Sequence, residues 1–184
     1  LKYKNKGKRF YLDYMPYAIT FVTENRYPYF KNEILCELFL LELEILTTIR
    51  KCKIFNFVAL YDHIHLLIQS DKESDISKDM HYLKRHFSRN ANILLQINPN
   101  IVGEDGHPRL ILQKINQFIA KNMNNQSLKN IPKFKWQISF RDHYICNNYD
   151  FKNQMNYINT NHIKHNLPDD WQYVGYNYPN LLTN

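Results

Sequence analysis

The sequence predicts an α+β fold in which a ferredoxin-like antiparallel sheet carries helices on one face. Strand-like segments of β-branched and aromatic residues are separated by longer segments whose apolar residues recur at helical spacing. Their order along the chain is β-α-β-β-α-β, with further helices added. The chain has 184 residues, enough for a full hydrophobic core, and shows neither an internal repeat nor a linker. We therefore treat residues 1–184 as a single domain, with 1–10 as a basic N-terminal extension.

Three strands and one long helix are predicted in the first part of the chain. Residues 17–23 are β-branched and aromatic, which is typical of a strand. Residues 32–49 are rich in leucine and glutamate, and their apolar side chains recur at helical spacing. Residues 53–60 form a second strand. Tyr61 and Asp62 then make a tight connection into a third strand.

A second helix, rich in basic residues, is predicted over residues 77–97. Pro99 and Gly103 lie in a segment that breaks the helical pattern. Beyond it we expect a short helix, two strands and a final helix, over residues 110–121, 134–140, 143–146 and 150–166.

The third strand places two histidines one residue apart in an apolar run. Side chains alternate between the faces of a strand, so His63 and His65 project from one face with Cα atoms roughly 6.5 Å apart. Two imidazoles in this arrangement can bind one divalent cation. The alternative is that both are half-buried side chains that are hydrogen-bonded to neighbours in the sheet.

The final helix carries a tyrosine and an amide on one face. Tyr157 and Asn161 are four residues apart, and side chains at this spacing are neighbours on a helix surface. Together they could act as a nucleophile and a metal ligand. The alternative is a tyrosine that packs its ring against the sheet.

The net charge of +7 and the pI of about 9.2 favour a polyanionic partner. Part of this charge lies in an N-terminal cluster, which could be a DNA contact or, equally, a solvated tail. Three widely spaced cysteines show neither zinc spacing nor a disulfide framework, and no apolar run reaches the roughly 18 residues of a membrane span. These features predict a cytoplasmic protein with no membrane partner. The cluster consists of Lys2, Lys4, Lys6, Lys8 and Arg9.

Three motifs in a fixed order resemble the HUH single-tyrosine transposases, and more narrowly their REP-associated branch. They are His63-Ile64-His65, the segment Trp-Gln-Ile-Ser-Phe-Arg-Asp-His over residues 136–143, and Tyr-Ile-Asn-Thr-Asn over residues 157–161. The resemblance extends over about residues 10 to 175. The chain departs from the family pattern in three places. His162 replaces a proline, the usual arginine after the Asp-His segment is absent, and the stretch between 98 and 130 is long.

The resemblance implies an HUH endonuclease or transposase fold and an enzyme that cleaves and rejoins single-stranded DNA. In such enzymes Tyr157 would be the nucleophile that forms a 5′-phosphotyrosine. His63, His65 and Asn161 would hold Mg²⁺ or Mn²⁺, as two imidazoles and an amide oxygen suit these ions. His162 and His165 are the alternatives to Asn161 as the residue that faces the metal. The expected partner is single-stranded or hairpin DNA, bound by a monomer or a homodimer.

Two other functions stay open at this point. One is a domesticated protein that binds hairpin DNA or RNA without cutting it. The other is a metal-dependent phosphodiesterase that works without a covalent intermediate.

Overall fold

The computed structural model describes residues 11–12, 14–97 and 108–183, and the predicted extension at 1–10 lies outside them. Four strands form one sheet in the order β2-β3-β1-β4, and all neighbours are antiparallel. Helices connect and cover the strands, so the predicted α+β class with a ferredoxin-like sheet is confirmed. The strands are β1 (Pro16–Val22), β2 (Lys53–Leu60), β3 (His63–Gln69) and β4 (Arg141–Tyr144).

The four α-helices agree with the predicted helices to within a few residues at each end. Amide or carboxylate side chains accept hydrogen bonds from backbone N–H groups at three of their N-termini, from Asn32 at α1, Asp75 at α2 and Asn147 at α4. None of the helices in the described part of the chain is long and apolar enough to cross a membrane. The helices are α1 (Glu33–Arg50), α2 (Ile76–Leu94), α3 (Arg109–Asn122) and α4 (Asn148–Lys164).

The main hydrophobic core lies between one face of the sheet and helices α1, α2 and α3. Phe21 of β1 and Leu66 of β3 point into it, and Phe39 of α1 is fully buried among aromatic rings. Phe87 of α2 packs edge-on against Phe39. Burial of this aromatic cluster holds the helices on the sheet.

Helix α4 lies on the opposite face of the sheet, which corrects the prediction that the helices share one face. Ile158 of α4 is buried in a second, smaller cluster with Val58, Leu60 and Leu67. Strands β2 and β3 carry apolar side chains on both faces, so their second face also requires cover. The polar sequence of α4 concealed this role.

A β-bulge in β2 fixes the position of α4. The pairing register with β3 shifts between Ile54 and Asn56. The Asn56 amide donates to the Met155 carbonyl at 3.2 Å and to Asn159 Oδ1 at 2.7 Å. Gly175 packs so closely here that a Cβ at its position would lie 2.4 Å from Asn56 Oδ1. The two hydrogen bonds of Asn56 attach α4 to the edge of the sheet.

The prediction of strands at 134–140 and 143–146 is wrong in its boundaries. The paired strand is β4, Arg141–Tyr144, and residues 134–140 form only an isolated bridge between Trp136 and Thr23. Because β4 already pairs with β1 from Tyr17 to Thr20, only the end of β1 is left for this segment. The alternation of apolar and polar residues reflects burial of Phe134 and Trp136 beside an exposed chain, not a sheet.

Candidate active site

The two histidines of β3 project from the sheet face that α4 covers. Their ring centroids are 5.0 Å apart, and the residues are only 5% and 8% exposed. In the sheet register, His63 lies between Val22 and Leu60, and His65 lies between Thr20 and Val58. The pair is therefore held by the central strand of a rigid sheet, as the alternation of side chains predicts.

Each histidine is hydrogen-bonded through its Nδ1 atom. Asp62 Oδ1 lies 2.5 Å from His63 Nδ1, and Arg26 donates to Asp62 Oδ2 at 2.9 Å. Thr20 Oγ1 lies 2.9 Å from His65 Nδ1. A carboxylate can only accept, so Asp62 fixes the proton of His63 on Nδ1 and leaves Nε2 with its lone pair.

Burial keeps both imidazoles neutral. It lowers the pKa of His63 against the opposing effect of Asp62, and it lowers the pKa of His65 to about 3, helped by the neighbouring histidines. Burial alone would raise the pKa of Asp62, but hydrogen bonds from His63 and Arg26 outweigh it and lower that pKa. At neutral pH the site therefore presents uncharged imidazoles beside a carboxylate.

One stripe of α4 faces the histidines. Tyr157, Asn161 and His165 follow each other at four-residue intervals, so they share a face of the helix. The Tyr157 ring centroid is 5.2 Å from that of His65, and the His165 ring centroid is 4.8 Å from that of His63. Asn161 occupies the turn between these two contacts and is 1% exposed.

Three buried polar atoms of β3 and α4 have no hydrogen-bond partner among the described residues. They are His65 Nε2, Asn161 Oδ1 and, on the residue after Asn161, His162 Nδ1. An unpaired buried polar atom costs about 1–3 kcal/mol, so His65 Nε2 and Asn161 Oδ1, which belong to the two facing stripes, are suited to contact a ligand. The described residues contain no group of three or more histidine, cysteine, aspartate or glutamate side chains that could hold a metal ion. A cation here would depend on the amide as well as the imidazoles.

A cavity of about 580 Å³, the histidine cavity, opens above these residues. Tyr157 is 39% exposed beside it, and no acidic side chain lines it among the residues that the structure describes. The Lys164 ammonium lies 4.7 Å from the centre of the Tyr157 ring. The cavity is therefore open and electropositive. Its walls include Arg26, His63, His65, Arg141, Tyr157 and His165.

The structure thus brings three of the predicted site residues, His63, His65 and Tyr157, to one cavity, with Asn161 buried in the same helix face. The remaining histidine of the motifs, His143, pairs with Asp150 at 2.9 Å and does not line the histidine cavity, but it lines a smaller pocket with His65 and Tyr157. The roles of the four site residues remain predictions.

Sequence reasoning missed the groups that surround the predicted residues. Asp62 directly precedes the first histidine, so a search for partners of the motif could have found it. Thr20 and Arg26 join the site through strand register and a turn, and no local pattern identifies them, whereas Arg141 lies in the motif over residues 136–143 without having been singled out.

Comparison with known protein families gives a match over the first half of the chain, which contains the first of the three motifs, His63-Ile64-His65. Residues 12–101, nearly half of the chain, match the sequence profile of a family described as "Transposase IS200 like". The predicted resemblance to single-tyrosine transposases is therefore confirmed. No curated protein sequence matches the chain.

Two solved structures are similar to this one. A REP-associated tyrosine transposase bound to a REP hairpin superimposes with a TM-score of 0.66 at 16% identity, covering 94% of this chain and 83% of that chain. A putative transposase from Deinococcus radiodurans R1 has a TM-score of 0.47 at 14% identity, covering 89% of this chain and 98% of that chain. At this identity the first match shows that the two proteins share a fold.

Proposed function

We propose that this protein is a DNA transposase that cleaves and rejoins single-stranded DNA through a covalent bond to Tyr157. The observation that carries the proposal is the contact between α4 and the histidine face of the sheet. It places an exposed phenol beside a buried histidine pair, with 5.2 Å between the rings of Tyr157 and His65. The matching family profile, that of IS200-like transposases, supports the same function.

The proposed reaction is a transesterification. The Tyr157 oxygen attacks the scissile phosphorus and forms the P–O bond of a 5′-phosphotyrosine, while the bond from phosphorus to the 3′ oxygen breaks. The departing 3′ oxygen takes up a proton, which balances the proton lost by the phenol. Attack of another 3′-OH on the phosphotyrosine reverses these steps and rejoins the DNA. Each step exchanges one phosphodiester for another, so no nucleotide cofactor is required.

His63, His65 and Asn161 are the residues that would hold a divalent ion, Mg²⁺ or Mn²⁺. Their chemistry fits: His65 Nε2 and Asn161 Oδ1 are buried and unpaired, and both Nδ1 atoms of the histidines are already engaged. When bound, the ion would polarise a phosphate oxygen and offset the charge that builds during displacement. The protein itself supplies further positive charge from Arg26, Arg141 and Lys164.

The proposed substrate is unpaired DNA next to a hairpin. A tyrosine fixed on a helix must meet one phosphate in line with its leaving oxygen, and a flexible strand can bend into the cavity. A duplex would have to deform, which costs of order 1–6 kcal/mol for a substantial bend. The similar transposase bound to a REP hairpin supports the hairpin as the recognised structure.

The test compares two tyrosine variants on the same helix. Tyr157→Phe should abolish the covalent protein–DNA adduct and leave folding and DNA affinity nearly unchanged. Tyr149→Phe is the matched control, since Tyr149 is 76% exposed on α4 but does not line the histidine cavity. Each protein is incubated with labelled hairpin DNA and Mn²⁺, and the adduct is resolved on a denaturing gel.

Adduct formation by Tyr157→Phe at the wild-type rate would refute the assignment of the nucleophile. Cleavage by the wild type without any adduct would favour a phosphodiesterase. Binding without cleavage would favour a protein that only binds hairpins.

A further inference from the structure

A second groove lies between α2 and the segment 133–140, on the other side of this segment from the histidine cavity. Its volume is about 570 Å³, similar to that of the histidine cavity. We call it the basic groove. Its cationic lining comes from Lys84 and Arg85 of α2 and from Lys133 and Lys135 of the facing segment, and His81 of α2 also lines it.

The charge of the groove is of one sign. Among the residues that the structure describes, neither aspartate nor glutamate lines it. Lys135 forms an ion pair with Glu24 at 3.2 Å, while Arg85 and Lys133 are exposed on opposite walls. Cations on two facing walls are suited to hold the phosphates of a strand that lies between them.

The basic groove and the histidine cavity share part of their lining. Gln137 and Phe140 line both, so the two openings adjoin along one segment of chain. Lys84 donates to the Gln137 carbonyl at 2.7 Å, and the Gln137 N–H donates to Val22 at 2.8 Å. These bonds fix the shared wall between α2 and the end of β1.

An apolar side chain stands at this junction. Ile138 is fully exposed, at 104%, and lines the basic groove beside the half-buried Phe140. Together with Phe140 it gives the junction between the cationic walls an apolar surface. It suits a ligand that has both apolar faces and negative charges, as unpaired nucleotides do.

We propose that the basic groove binds the single-stranded DNA that flanks the scissile phosphate and leads it past Ile138 into the histidine cavity. The inference rests on the proposed function, because it assumes DNA in that cavity. A single strand is favoured over a duplex because it can expose base faces to Ile138 while its phosphates contact both walls.

The test reverses charge on both walls and compares a variant with the same charge change elsewhere. The groove variant is Arg85→Glu with Lys133→Glu. The control is Lys53→Glu with Lys72→Glu, two exposed lysines that line neither opening. All proteins also carry Tyr157→Phe, and metal is omitted, so that binding is measured without cleavage.

Fluorescence anisotropy measures affinity for labelled single strands of about 4 and about 16 nucleotides, which bracket common site sizes. The groove variant should lose about tenfold in affinity for the longer strand, and its salt slope should fall by about 1.4, or 0.7 for each lost phosphate contact. The control should change by less than about twofold, because long-range charge alone contributes little at physiological salt. A neutral pair, Arg85→Gln with Lys133→Gln, should give an intermediate loss.

Equal losses in the groove and control variants would overturn the proposal, as would an unchanged affinity of the groove variant for the longer strand. If a duplex competed as well as the single strand, the proposal of a single strand in the groove would be wrong and duplex DNA would be its ligand. These outcomes are independent of the proposed reaction. A wild-type protein that binds strands through the groove but forms no adduct would refute only the reaction.

Discussion

The two faces of the sheet differ in what their residues do. The face against α1 and α2 buries a continuous aromatic and aliphatic core, which includes Phe21, Phe39 and Phe87 at 0% exposure. The face against α4 has a small apolar cluster and, directly beside it, the histidine cavity. The protein thus separates its larger hydrophobic core from its histidine cavity. Buried polar atoms with no partner in the described part of the chain occur on both sides, at Glu42 Oε2 and Trp136 Nε1 on the core side and at His65 Nε2 and Asn161 Oδ1 beside α4.

This separation explains how a buried histidine pair is tolerated. The polar atoms His65 Nε2 and Asn161 Oδ1 have no partner in the described structure and therefore destabilise the folded state. The larger core on the other side of β3 offsets this cost. Three experiments can break or sharpen the comparison between the faces.

The largest effect is expected from truncation of matched phenylalanines on the two faces. Phe39→Ala should lower the free energy of unfolding by about 3–5 kcal/mol, because the fully buried ring contacts several other rings. Phe151→Ala on α4 should cost less than half as much, as Phe151 is half-buried and pairs with Phe55 at 5.2 Å. Urea unfolding measures both. Equal losses would show that the α4 face stabilises the fold as strongly as the core does.

A smaller effect is expected from Glu42, an acidic residue that is buried on the core side of the sheet. Burial raises the pKa of Glu42 from 4.5 to about 7, although Asn90 donates to its carboxylate at 2.6 Å. The folded state therefore binds more protons than the unfolded state between pH 4.5 and about 7, and the free energy of unfolding falls as the pH rises through this window. The full loss is about 3 kcal/mol.

Glu42→Gln should remove this loss. The stability difference between variant and wild type should shift in favour of the variant by about 3 kcal/mol from pH 4 to pH 8. Glu37→Gln, an exposed position on the same helix, is the control and should show no such shift. Parallel pH profiles for Glu42→Gln and the wild type would contradict the prediction. The lowered pKa values of His63 and His65 on the other face make the free energy of unfolding rise with pH. Only the difference between Glu42→Gln and the wild type therefore isolates the effect of Glu42.

The smallest effect is expected at the support of the histidine pair. Asp62→Asn keeps the shape of the side chain but loses the charge that holds His63 Nδ1–H. If His63 is a metal ligand, Mn²⁺ affinity should fall by about 10–100-fold, as for other partners of metal-bound histidines. Titration calorimetry measures this, with the exposed Asp169→Asn as control. Equal Mn²⁺ affinities in both variants would argue against His63 as a ligand.

Much of the fold was predictable because local periodicity identifies helices and strands. The spacing of apolar residues predicted α1 to within one residue at each end, α4 was predicted to within two, and the alternation in β3 showed that His63 and His65 share a face. The strand at 134–140 was predicted wrongly for a long-range reason. Its alternation is real, but the edge of β1 that it would need is taken by β4.

By itself, the sequence determined which chemical groups are present and which of them share a face: the histidine pair on a strand, and Tyr157 with Asn161 on a helix. Only the tertiary structure decided that these two faces meet. That contact depends on the bulge in β2, the hydrogen bonds of Asn56 to α4 and the strand register that brings Thr20 to His65. The physical reason is that periodicity is a property of neighbouring residues, whereas the pairing of faces depends on residues about 40 to 100 positions apart.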